Sequence, residues 1–487
     1  MVKTKLLLWL AVLTEALSLP PVPPCTPPTS FVDGVWSVQK PCLLTCANSS
    51  CSFQFDTLTV EKDGEIRFDG TKNTTLRVRL FLIDGKLRAG SETSPFRGKL
   101  DIVLTGRSED QDNSLISKVF VVATPPHKLP YSKVLLARPG SIVELHGMPK
   151  TPWLKLRQSA RAGDEFVVVC GAALGWVPGD KLLLPTTAFG PSAGVENEVV
   201  TLRHAPQIGR SGDDVWTILA LTSPLRFDHD GESADARLRG EVAVLSHNIR
   251  ILGNNTDAEY QACTQLLDGH DVYSSTQLLE EARRLCYGGH TAYLKGSSVR
   301  VSNAELFRLG QATRIARYPV HWHLAQDVSQ PTDADESLSG SYVRNNSIWQ
   351  SYQRCATIHG TWGALVEGTV CYATRGHAFY LEDSVEFGNT FANNLAVAVR
   401  KGPMVCSDHQ VGPAAFWITN PNNTFVGNMA VDVGPIGYGG SGVLGHLGRG
   451  PRAGGRTRLL VHGLLDLQVR LPARRVDIQP FQGGFLG

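Results

Sequence analysis

The chain is short of methionine, with four among 487 residues, and has almost no net charge, +2 at pH 7. So few methionines argue against a Met-rich helical protein. The near balance of 47 basic against 45 acidic residues gives no electrostatic case for nucleic acid as a partner. Beyond the N-terminus no stretch is apolar enough to be a membrane helix. A Ser/His/Asp order, a phosphate-binding glycine loop and a cluster of thiolates are all missing, so nothing points to those chemistries.

Glycine and proline are plentiful, 48 and 28 residues, which suits a turn-rich and mainly β protein. The length allows a large core and more than one domain. At the N-terminus, Lys3 and Lys5 precede the apolar run "LLLWLAVL", and Ala16 and Ser18 provide small residues for cleavage. Residues 1–18 therefore read as a signal peptide, too short for a bilayer because Glu15 interrupts the run. A secreted chain with no transmembrane helix after signal removal is expected. Sequons at Asn48, Asn73, Asn254, Asn345 and Asn422 fit a secreted glycoprotein. Ten cysteines in an oxidising compartment read as structural. Cys25, Cys42, Cys46 and Cys51 should pair among themselves, in an order the sequence leaves open; no second ligand cluster supports zinc there.

Texture changes along the chain define segments. A Pro-rich lead-in, "LPPVPPCTPPTS", occupies 19–30. Over 31–125, period-two strands such as Val60, Ile66, Phe68 and Leu80, Leu82, Leu100, Ile102, Leu104 alternate with glycine turns. Short Val/Ile/Leu-rich strands continue through a β-rich connecting region at 126–250. Thr256 with Glu259, and Ser274 with Gln277, are capping-box pairs, and apolar residues follow at helical spacing. Residues 251–287 should thus be a helical insertion, with Cys263 and Cys286 stapling its ends. From 288 to 438 an apolar strand recurs roughly every 18–25 residues with asparagines at the turns, as in the stacked coils of a solenoid. Asparagine tolerates left-handed backbone and stacks in ladders, which solenoid corners require. Residues 439–487 form a Gly/Arg-rich tail expected to be poorly ordered.

The stretch "LRAGSETSPFRGKLDIVLTG" resembles the eight-glycine (G-eight) domain of extracellular proteins. "GGHTAYLKG", "RYPVHWHLAQD", "HAFYLEDSVEFGN" and "AAFWITNPNN" resemble the β-helix that follows it in fibrocystin, its large homologue, the cell-surface hyaluronidase and the cell-migration-inducing hyaluronan-binding protein. The fold this implies is all-β, a G-eight β domain followed by a right-handed parallel β-helix. The resemblance also implies an extracellular or cell-surface location and contact with extracellular glycans such as hyaluronan. It leaves two functions open: a polysaccharide-interacting protein, binding or depolymerising hyaluronan by a glycosidase-type activity, and a non-catalytic adhesion or receptor scaffold.

Aligned coils put Val320, Ala356 and Ala378 in one apolar column and Trp322, Ile358 and Tyr380 in another, both facing the core. His321 and His323 then point outward together, with His359 beside His323 about 4.8 Å away on the next coil. Three readings compete for this face. It is a polar ladder bonded to its own turns, a glycan-binding surface, or a catalytic or metal site. In the glycan reading Arg317, His321, His323, His359 and Phe379 contact sugar, Phe379 by stacking. In the catalytic reading Asp327, Glu382 and Asp383 supply the carboxyl groups that glycoside cleavage requires. No cofactor is specified, but an i, i+2 histidine pair plus a third histidine suits a divalent cation.

Overall fold

A computed structural model describes residues 21–27, 34–110, 132–188, 193–233, 236–330, 340–403, 413–434 and 468–469. The expected signal peptide and nearly all of the Gly/Arg-rich tail lie outside the described residues.

Period-two alternation in short strands gives each coil an inner apolar row, and the coils bury these rows by stacking. Three parallel columns of strands result. The first runs from Pro41–Leu44 through Glu65–Phe68, Lys86–Ala89, Ile142–His146, Ser298–Ser302, Tyr342–Arg344, Leu365–Glu367 and Thr390–Ala392 to Thr424–Val426. The second joins Leu100–Leu104, Ile249–Gly253, Ala304–Phe307, Ser347–Trp349, Val370–Arg375, Leu395–Arg400 and Met429–Val433. The third joins Val134–Ala137, His290–Tyr293, Val320–Asp327, Ala356–Trp362, Phe379–Leu381 and Phe416–Trp417. The long strand Asn73–Ile83 feeds both the second and the third column, pairing with Leu100–Leu104 and with Val134–Ala137, and is itself preceded by Ser50–Val60 and Val35–Val38. This is a parallel β-helix, and the strands that resemble the G-eight domain are its first coils.

Register aligns the core. Ile102, Ile251, Leu306, Ile348, Cys371, Ala396 and Ala430 stack in the second column. In the third, Ala137, Tyr293, Trp322, Ile358 and Leu381 do so. All are buried in one cluster. Each large apolar side chain so buried contributes about 1.5–3 kcal/mol. Between Ala356–Trp362 and Phe379–Leu381 the register differs from the expected columns by one residue: Ala356 pairs with Phe379, and Ile358 with Leu381. A one-residue slip exchanges the two faces of a strand. Phe379 is therefore inside, stacked on Phe416 at 4.9 Å, and is not available to a sugar ring.

Asparagines hold the corners. Asn303, Asn345 and Asn393 take positive φ. Asn346, Asn394 and Asn428 are buried, and their side chains bond the backbone of adjacent coils.

Two decorations interrupt the coils. Between Trp153 and Val244 two antiparallel sheets enclose a separate core that includes Leu156, Val169, Trp176, Leu182 and Leu219. Leu183, Ala243 and Leu245 dock this unit onto Trp349, Val370, Leu395 and Val397 of the second column. The second decoration is a helical hairpin, Asp257–Gly269 and Thr276–Leu285, joined by the Cys263–Cys286 disulfide. Thr256 and Glu259 form the reciprocal capping box. The second helix is capped by Ser275, one residue beyond the expected Ser274, with its side chain accepting from Leu278 N. The four N-terminal cysteines pair as Cys25–Cys42 and Cys46–Cys51, and Cys355–Cys371 joins successive coils. Among the described residues no helix is long and apolar enough to cross a membrane.

Candidate functional site

The third column carries the polar cluster. In Val320–Asp327 the inward positions are Val320 and Trp322, leaving His321 and His323 on the other side of the strand. His323 lies directly opposite His359 of Ala356–Trp362, and their Nδ1 atoms are 3.0 Å apart. The register then shifts before Gln326, where Leu324 and Gln326 take positive φ, so the strand bends just past the histidines.

On the next coil the strand ends at Leu381, and Glu382 and Asp383 open the turn. Asp383 Oδ2 lies 2.7 Å from His359 Nε2, and Glu382 Oε2 lies 3.9 Å from His359 Nδ1. Buried Glu386 secures this turn by accepting from both Gly360 N and Asp383 N. Arg354, also buried, lies over the Tyr380 ring at 3.5 Å and donates to Tyr318 Oη at 3.2 Å. Glu386, Arg354, Tyr318 and Tyr380 were not foreseen in these roles. "VEFGN" offered Glu386 as a carboxylate, but only the fold shows which amides it meets.

His321 faces away from the helix core, as expected, yet it is 0% exposed. The chain running into the strand covers that side, with the Tyr318 ring 4.9 Å from the imidazole. Thus the expectation of a solvent-facing His321 is corrected: sequence fixes the side of the strand but not what lies over it. Burial, reinforced by the neighbouring imidazoles, holds His321 well below the ordinary histidine range. His323 is pushed down to about 4, mainly by burial and then by His359 and Arg317. Burial raises Glu382 above the usual carboxylate range although His359 and Arg354 pull the other way.

Other expected site residues fall elsewhere. Arg317 is buried, with Nη1 3.4 Å from Ala316 O, and so does not present its guanidinium to a surface glycan. Asp327 is exposed and accepts from Ser329 N, and the Ser329 side chain and then this backbone bond lower its pKa; it sits opposite Trp362 rather than among the histidines. Trp362 stacks on Phe387, ring centroids 5.5 Å apart and planes 9° off parallel, and Phe387 is 44% exposed. This aromatic pair lies three residues beyond His359, about 10 Å along the strand, and was not anticipated.

A cavity of about 900 Å³ lies away from this cluster, lined by Asp56, Arg79, Asp110 and Asn254 among others. Its most prominent charges satisfy each other, since Arg79 grips Asp56 through two hydrogen bonds of 2.6 and 2.8 Å. The histidine cluster instead leaves polar atoms unpaired: both ring nitrogens of His321 and Glu382 Oε2 have no hydrogen-bond partner. The chemistry on offer is therefore concentrated at His321, His323, His359, Glu382 and Asp383.

Two family models match the chain, a G8 domain over residues 39–157 and a CEMIP beta-helix over residues 286–441. Fibrocystin-L of Homo sapiens is 33% identical over 384 residues, covering 74% of this chain and 8% of that protein. Cell surface hyaluronidase of Danio rerio is 30% identical over 280 residues, 52% of this chain and 18% of that protein. The cell migration-inducing and hyaluronan-binding protein of Homo sapiens is 26% identical over 337 residues, 64% of this chain and 23% of that protein. The chain thus spans less than a quarter of the length of each of these relatives.

Proposed function

The chain belongs to the family of proteins that join a G8 domain to a CEMIP beta-helix, and on that premise we propose that it is a secreted glycoprotein that binds extracellular polysaccharide. The binding face is the outer side of the third column, from His323, His359 and Asp383 to the Trp362–Phe387 pair. The observation that carries this reading is the exposed aromatic stack beside a part-exposed polar cluster. Sugar rings present an apolar face to an aromatic ring and hydroxyls to polar side chains, so a strip with both suits a saccharide. Hyaluronan is the first polymer to test, because two relatives carry it or its cleavage in their names. Glu382 is the acid candidate for cleavage, since burial shifts its carboxyl upward, the direction a group that donates to a leaving oxygen needs.

A scaffold reading, binding partners without cleavage, is favoured by the higher identity to fibrocystin-L than to the hyaluronan-related proteins. One experiment separates the two. The secreted full chain is incubated with size-defined hyaluronan, chondroitin and heparan sulfate, scoring retention and polymer length. Retention weakened by Trp362→Ala is expected for a glycan-binding face. Shortening of the polymer, abolished by Glu382→Gln, would establish cleavage. Absence of retention on all three polymers would leave the scaffold.

A further inference from the structure

Burying an imidazole with neither nitrogen bonded is costly, on the order of 1–3 kcal/mol for each unsatisfied polar atom. His321 is in that position, fully buried with Nδ1 and Nε2 both unpartnered. The His323 and His359 rings flank it. His321 and His359 are nearly parallel, 7° apart, with centroids 6.2 Å apart, and His323 is tilted against both at 4.9 and 4.8 Å. One nitrogen from each of the three rings lies within 4.8 Å of the other two.

The outer nitrogen of His359 is held by a carboxylate, Asp383 Oδ2 at 2.7 Å. A neutral imidazole that donates from Nε2 keeps its lone pair on Nδ1, the atom facing His323 Nδ1 at 3.0 Å. This is how proteins fix the tautomer of a metal-ligating histidine, with a carboxylate behind the ring. Two nitrogens each bonded at about 2.0–2.1 Å to a tetrahedral ion are about 3.3 Å apart, close to the 3.0 Å between His323 and His359, and His321, within 4.8 Å of both, closes in on binding. Glu382 Oε2, unpartnered and 3.9 Å from His359 Nδ1, gives the same spot a carboxylate oxygen.

We propose that His321, His323 and His359 bind one divalent transition-metal ion of the zinc class, with Asp383 as the positioning residue behind His359 and Glu382 at the fourth position. Three imidazoles select a borderline ion over calcium or magnesium, which prefer all-oxygen shells. Two ligands come from one strand at i, i+2 and the third from the next coil, so the ion also clamps two coils together. If the polysaccharide reading above holds, the ion also changes what the face can hold. Glu382 and Asp383 alone repel a polyuronate, and a divalent cation neutralises that local charge.

The test is metal content, read without any glycan, so its failure and that of the polysaccharide reading are separate results. The secreted full chain is stripped with chelator, dialysed against zinc or cobalt, and assayed by elemental analysis and visible absorption. About one zinc per chain is expected, with cobalt d–d bands of a tetrahedral site and a higher melting temperature on loading. His321→Ala and His359→Ala should each lose the bound ion. Asp383→Asn should keep the fold and weaken affinity about 10–100-fold. Because His321→Ala can disturb packing, His359, which is partly exposed, serves as the second variant, with circular dichroism checking the fold. The proposal is overturned by a stripped chain that takes up no zinc or cobalt, or by His359→Ala and His321→Ala both binding as much as the unaltered chain.

Discussion

Asn394→Leu removes one corner amide with little change in volume, and its cost can be worked out from the bonds lost. Asn394 is fully buried. Its Oδ1 accepts from Thr369 N at 2.9 Å, while Nδ2 donates to Val366 O and to Asn428 Oδ1, each at 2.9 Å. Leucine leaves the Thr369 amide buried without an acceptor, about 1–3 kcal/mol, and forfeits two further hydrogen bonds worth about 0.5–1.5 kcal/mol each. The expected destabilisation is about 2–6 kcal/mol, concentrated on the coils around 366–394. A chain stacked in repeats need not unfold as one unit, so a single melting temperature is a poor readout. Amide hydrogen exchange resolved to peptides spanning Thr369 is the suitable assay, since local opening there should accelerate by roughly 30-fold or more. Asn394→Asp, which keeps an acceptor for Thr369 N, should be milder at that amide. Protection at Thr369 within threefold of the unaltered chain in Asn394→Leu would refute the view that side-chain amides, rather than strand ladders alone, hold the corners.

Further outcomes follow from other buried groups. Lys150→Met leaves Asp180 buried without the ammonium that bonds it at 2.6 and 2.7 Å, and denaturant unfolding of the inserted antiparallel unit should show a loss of about 3–5 kcal/mol. Burial pushes His146 down to about 4 and His247 to about 3, so both are neutral in the fold at pH 7. Between pH 6.5 and about 4 the unfolded chain binds more protons. Stability present in full above pH 6.5 is therefore lost as pH falls, by about 3 kcal/mol for His146 alone, and pH-dependent melting should show it. The double change Cys263→Ala with Cys286→Ala opens a bridge spanning 23 residues and should cost about 3 kcal/mol, read as faster exchange in the helical hairpin. Mass spectrometry should find glycans at exposed Asn48, Asn73, Asn254 and Asn422, and lower occupancy at half-buried Asn345.

The all-β class was legible because period-two alternation and asparagine turns are local signals. So was the helical hairpin, whose Thr256 capping box needs only four residues. The pairing of His323 with His359 came from aligning the apolar alternation of Val320 and Trp322 with that of Ala356 and Ile358, but the same alignment missed by one residue at Phe379. The turn from Arg375 to Phe379 is shorter than the corresponding turn from Trp349 to Ala356, and no sequence rule sets a solenoid's turn lengths. Burial of His321 was equally out of reach, because its cover comes from the segment around Tyr318 and its depth depends on tertiary packing. Cys355–Cys371 joins successive coils, a proximity that exists only once the coils stack. The Trp362–Phe387 stack joins the end of one strand to a turn of the following coil, again a proximity set by stacking.

The interleaving of early and late strands bears on how the chain folds as it emerges from the ribosome. Arg250 clasps Asp101 across 149 residues, and Leu100–Leu104 has no second-column partner on its far side until Ile249–Gly253 has been made. At about 5–20 residues per second, the first coils wait roughly 10–30 s with unpaired sheet edges, the exposure that invites strand addition by other chains. The antiparallel unit at 153–244 is synthesised within that interval and encloses its own core. The nascent chain thus fills its delay with a piece that folds from nearer contacts, and its docking onto the second column comes only later, when Val370 and Leu395 arrive. Substitutions that slow this unit should therefore lower the yield of folded chain more than they lower the stability of the finished molecule.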